Sequence, residues 1–158
     1  MLHKTFHESV MVGTALVPTA ISAATAVNGA TIALNFGGSA ISFLFQTTSI
    51  ATDEVATVKF EESVDGSTWT KVQSNDAAAD LSFTVPNAAA GDETTAMATI
   101  PFAKFLSTTK FVRLVVTSAG TTISYTAAAQ YVISGFQSRP TSQEDKTFAA
   151  CVSVIVFK

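Results

Sequence analysis

The chain has 158 residues and 47% of them are hydrophobic, enough for one buried core and the size of one domain. Only 13% are charged, about half the usual share of roughly 25%. The net charge of −3 and the presence of only two arginines, Arg113 and Arg139, argue against a nucleic-acid partner, whose phosphates require a basic stripe. A single cysteine, Cys151, excludes an intramolecular disulfide.

The scarcity of charge is uneven. No Asp, Glu, Lys or Arg occurs from Ser9 to Thr52, nor from Leu114 to Ser138. Long neutral stretches of this kind suit a surface covered by neighbouring subunits. A sheet coated by Thr and Ser hydroxyls, neutral yet wetted, would read the same way.

Residues 1–29 show neither helical nor strand periodicity, and Pro18 among small residues suggests an extended N-terminal arm. Lys4 followed by VMVGTALVPTAIS imitates a secretory leader, but Glu8 sits in its basic region. The Thr, Ser and Ala content also makes a poor membrane span, so no membrane partner and a cytosolic product are expected. His3 and His7 are spaced i, i+4 beside Glu8, but no further ligands complete a closed site and no metal is assigned.

From residue 30 the alternation of Ile32, Leu34 and Phe36 predicts a strand that Gly37-Gly38 ends. The near-continuous apolar run of residues 41–46 predicts a strand buried on both faces, or one lying under an arm. Val58, Phe60 and Glu62 then alternate with Thr57, Lys59 and Glu61, the period of a half-buried strand. Asp65-Gly66 turns the chain, and residues 68–72 return as the second strand of a hairpin with a Gly bulge. On this hairpin Trp69 is expected to anchor one face against a second sheet, with an exposed, ligand-stacking Trp as the other reading.

Residues 81–85 and 95–102 predict two more strands, the second demoted towards an edge at its end by Pro101, and residues 102–106 allow one short helical turn. Residues 111–117 and 123–133 form a second hairpin around Ala119-Gly120. A polar linker, residues 141–146, leads to a last alternating strand at 147–157, in which Cys151 reads as an inert core position. The sum is an all-β chain, an antiparallel β-sandwich or jelly roll over residues 30–140, with the arm at 1–29 and the linker and extra strand at 141–158.

No nucleophile elbow, phosphate loop or zinc helix is present, and no catalytic residue or cofactor is assigned. Acidic pairs occur at Asp53-Glu54, Glu61-Glu62, Asp92-Glu93 and Glu144-Asp145. Neighbours on a strand point to opposite faces, so Glu61 and Glu62 do not converge as a glycosidase pair would.

FEESVDGSTWTKV (60–72) together with KFVRLVVTSAGTTISYTAAAQYVI (110–133) resembles small β-sandwich proteins of tailed bacteriophages. Glu62, Ser63, Asp65, Gly66 and Trp69 match one recurrent pattern, and Lys110, Val112, Arg113 and Leu114 the next. The resemblance implies a non-enzymatic virion protein, a capsid decoration or cement subunit on the outside of the head, with the major capsid protein as partner. A homo-oligomer is expected with it, a trimer being favoured. Phe6, Val10, Val12, Leu16 and Val17 of the arm, and Phe148, Val152, Val154 and Val156 of the last strand, are the expected interface. The hairpin is also similar to that of discoidin-like carbohydrate-binding modules, which leaves a glycan-binding module as the alternative. It is one residue shorter than the Asp-box of sialidase-like propellers and occurs once.

Overall fold

A computed structural model describes residues 10–34, 38–74, 79–85, 87, 93–135 and 153–157. In chain order the strands are β1 (Val10–Ile21), β2 (Val27–Asn28), β3 (Ile32–Ala33), β4 (Ala40–Thr47), β5 (Val55–Ser63) and β6 (Thr70–Lys71). They continue as β7 (Ser82–Val85), β8 (Thr94–Pro101), β9 (Phe111–Ala119), β10 (Tyr125–Ser134) and β11 (Ser153–Phe157). One 3-10 turn, Phe102–Lys104, falls where the sequence allowed a short helix.

The strands form two antiparallel sheets. One is five-stranded in the order β1-β10-β4-β8-β11, and the other runs β2-β9-β5-β6 with β3 beside β9 and β7 beside β5. Neighbours in space are mostly distant in sequence, so the chain crosses repeatedly between the layers, which is the connectivity of a jelly roll rather than of a meander. The expected all-β sandwich is the fold found.

Alternation places the core between the layers. Ile41, Phe43 and Phe45 of β4, Ile100 of β8 and Ile133 of β10 point inward from the five-stranded sheet and are buried. Val58 and Phe60 of β5 meet them from the other sheet with Val112, Leu114 and Val116 of β9. The Phe43 and Phe60 rings lie 5.0 Å apart across the layers, a tilted contact worth about 0.5–1.5 kcal/mol beyond the area it buries.

Several expectations change. β4 is not buried on both faces: Ser42 and Leu44 are half-buried and Gln46 is exposed. The apolar run reflects a central strand whose outward side chains are hemmed in by β10 and β8. The stretch read as an extended arm is, from Val10, a strand of the chain's own sheet, in register with β10 from Val10 opposite Ser134 to Ile21 opposite Tyr125. Its periodicity is hidden because two register shifts, on either side of Leu16, change which residues face inward. Ala15, Leu16 and Ile21 consequently all reach the core. The strand expected at 30–36 is described only as Ile32–Ala33, and the two-residue β2 before it carried no periodic signal.

Candidate assembly surface

The hairpin between β5 and β6 is built by its own side chains. Ser63 Oγ accepts the Gly66 N–H at 2.9 Å and donates to Asp65 Oδ1 at 3.0 Å. Asp65 Oδ1 accepts the N–H groups of Ser67 and Thr68 at 2.8 and 2.7 Å. Gly66 has φ +76°, a conformation that side chains with a Cβ rarely adopt. The backbone N–H groups of Thr68 and Ser67 hold the Asp65 carboxyl well below the usual carboxylate range. The motif's polar atoms are therefore spent on the turn itself.

Trp69 does not enter the space between the sheets. It is half-buried on the outer face of the six-stranded sheet, under the Arg113 guanidinium, which stands 4.2 Å from its ring centroid. Arg113 is opposite Glu61 in the β9–β5 register and binds its Oε2 through Nη2 at 2.7 Å and Nε at 2.8 Å. Position on the outward side of β9 decided this, because Arg113 alternates with the buried Val112 and Leu114.

The remaining carboxylates near the hairpin and at the far end of β5 are structural. Glu62, buried at the end of the inward row of β5, accepts the Leu106 N–H at 2.8 Å and a hydrogen bond from the Thr109 hydroxyl. It faces away from Glu61, as strand alternation requires. Glu54, also buried, accepts the N–H groups of Ala51 and Ser124, and Asp53 accepts from the Thr121 hydroxyl. A depression of about 340 Å³ opens beside the hairpin, lined by Glu62, Asp65, Thr68, Thr70, Leu106 and Thr109. Among the described residues no group of three or more His, Cys, Asp or Glu side chains is placed to hold a metal ion. None of the described helices is long and apolar enough to cross a membrane.

The two sheets differ in charge. The six-stranded sheet carries Lys59, Glu61, Glu62, Lys71 and Arg113, and Lys71 Nζ pairs with Asp80 at 2.8 Å. None of the strands β1, β4, β8, β10 and β11 contains a charged residue. Across the outer face of that sheet one row runs Val12, Val132, Ser42, Thr99 and the next runs Thr14, Gln130, Leu44, Met97. The neutral stretches were legible in the sequence, but not that β1, β4 and β10 from them join β8 and β11 in one uncharged layer.

The expected interface residues are placed unevenly. Val12 and Val17 are exposed on β1, at 55% and 64%, whereas Leu16 is in the core. Val10 opens β1. Val154 and Val156 lie in β11, opposite Ala98 and Ala96 of β8 in the same chain. Phe6, Phe148 and Val152 lie outside the described residues, as do His3, His7 and Cys151.

No family model matches the sequence, and no curated protein matches it. The fold is similar to solved structures of infectious bursal disease virus. Against a Gx strain structure the TM-score is 0.58 at 11% identity, covering 83% of this chain and 33% of that one. Against a Gt strain structure it is 0.57 at 13% identity, covering 93% and 36%. A mutant VP2 protein of that virus, in derived T=1 particles, gives 0.54 at 13% identity, covering 80% and 32%. At these identities the likeness establishes the fold, and the chain spans about a third of the length of each.

Proposed function

We propose that the chain is a virion structural protein, and more narrowly a decoration or cement subunit on the outside of a tailed-phage head. There it bridges subunits of the major capsid protein and associates with copies of itself. The observation that carries this reading is the five-stranded sheet without a single charged residue, on a chain that keeps its strand charges in the other layer. A free monomer gains solubility from scattered surface charge, whereas a face pressed against neighbours gains from its absence, because no ion has to be desolvated there. Each apolar contact of this kind contributes about 25 cal/mol per Å² buried, and repetition over a lattice multiplies small contributions. The likeness to viral particle proteins supports the same direction.

The carbohydrate-binding alternative requires Trp69 exposed together with Tyr125 or Tyr131. Tyr125 is buried with its hydroxyl bonded to Ser118, Tyr131 packs against the core across Gly13, and Trp69 is roofed by Arg113. The described surface offers no such platform.

Quantitative mass spectrometry of gradient-purified particles from the native source tests the proposal. Copies in fixed stoichiometry with the main shell protein are the expected result. A few copies per particle would move the chain to a tail or vertex, and absence from particles would sink the virion role.

A further inference from the structure

We propose that the first five residues of β1, Val10–Thr14, pair antiparallel with the same residues of a second copy about a two-fold axis at Val12. This inference deepens the assembly reading above and rests on it. β1 is a terminal strand of its sheet, twelve residues long. Sheet edges expose unpaired backbone N–H and C=O groups, and proteins protect them with charge, proline, bulges or brevity.

The described edges of the six-stranded sheet have such protection, whereas β11, the opposite edge of the five-stranded sheet, has five uncharged residues. β2 and β3 have two residues each, β6 has two with Lys71 in an ion pair, and β7 has four. The later part of β1 is protected too. It has register shifts on either side of Leu16, Pro18 interrupts it, and the Ala15 carbonyl accepts the Ala30 N–H at 2.7 Å. Val10–Thr14 has none of these devices, and its register with β10 is unbroken from Val10 opposite Ser134 to Thr14 opposite Gln130.

The chemistry of the segment selects a second copy as its occupant. A two-fold contact sets the residue on the axis against its own copy and pairs the others reciprocally, so a charge on the axis would meet its like and one beside it would be brought near its own copy. In a chain of net charge −3, the stretch from Ser9 to Thr52 is free of charge. Centring the axis on Val12 sets it against the partner's Val12, both exposed apolar side chains on the outer face, and sets Val10 against the partner's Thr14. The two five-stranded sheets then become one sheet continuous through both copies. This contact is two-fold and independent of any threefold association.

Sedimentation velocity and hydrogen exchange of the full chain test it, using Val12→Lys and Val12→Thr. Val12 is half exposed, so neither change disturbs the core, and Val12→Thr keeps both neutrality and β-branching. The expected result is a wild type and a Val12→Thr variant that dimerise, with amides of residues 10–14 gaining protection as concentration rises. Val12→Lys should associate at least about tenfold more weakly and lose that protection. A wild type that stays monomeric, or a Val12→Lys variant with wild-type mass and protection, overturns the pairing. Particle copy number is read separately, so a virion protein indifferent to Val12→Lys would overturn the edge contact alone, and a dimer absent from particles would overturn the virion role alone.

Discussion

Asp65 shows how much of the hairpin rests on one side chain. Its carboxylate takes the N–H groups of Ser67 and Thr68, and both bonds weaken when it is protonated. Because folding lowers its pKa, the contribution is complete above the ordinary carboxylate value of 3.8 and disappears as pH falls below that through the folded value. Asp65→Asn should therefore be less stable than wild type at neutral pH, and the gap should close only below pH 3.8. Parallel urea titrations across the acid range check this, and a gap independent of pH would contradict it. Glu62 plays the equivalent part for residues 102–109. Glu62→Ala leaves the Leu106 N–H and the Thr109 hydroxyl without their acceptor, and a loss of about 1–3 kcal/mol is expected in equilibrium unfolding.

At the scale of elements, β1 separates two accounts of the N-terminal region. A detachable arm could be removed and leave the sandwich folded. A strand that supplies Ala15, Leu16 and Ile21 to the core, and the whole outer partner of β10, could not. Deletion of residues 1–21 is expected to abolish cooperative unfolding and the near-ultraviolet circular dichroism of the packed aromatics. A well-folded truncation would return β1 to the status of an arm. Gly13 belongs to the same argument, because a Cβ there would lie 2.6 Å from the Tyr131 ring. Gly13 is the register partner of Tyr131, and the ring occupies the space a side chain there would need.

For the whole molecule, segregation of charge predicts how association responds to salt. Contacts made through charged surfaces weaken once the screening length falls to a few Å, whereas contacts through neutral surfaces do not. Self-association should hold or strengthen between about 0.1 M and 1 M sodium chloride, and sulfate should promote it by exclusion from apolar surface. Sedimentation equilibrium at several salt concentrations decides this. A steep weakening with salt would place the contact on the charged sheet, near Lys59, Glu61 and Arg113.

The all-β class, the hairpin at Asp65-Gly66 and most inward-facing residues were legible in the sequence because each depends on local alternation, whereas the hairpin expected around Ala119-Gly120 does not form: β9 joins the six-stranded sheet and β10 the five-stranded one, so the chain crosses between layers there. Val58 and Phe60 repeat every second residue, and Asp65-Gly66 carries its own turn chemistry. β1 was not legible, since two register shifts erase its period, and they are stabilised by partners more than a hundred residues away in β10. Trp69 was misplaced for a related reason: its size suggests a core anchor, but the face it occupies is set by pairing with β5 and by Arg113 arriving on β9. The sequence alone determined that long stretches of this chain carry no charge. Only tertiary structure decided that β1, β4 and β10 from these stretches join β8 and β11 in one uncharged sheet while β2, β3 and most of β9 go to the other, because strand order is fixed by crossovers between distant segments and not by anything a single strand contains.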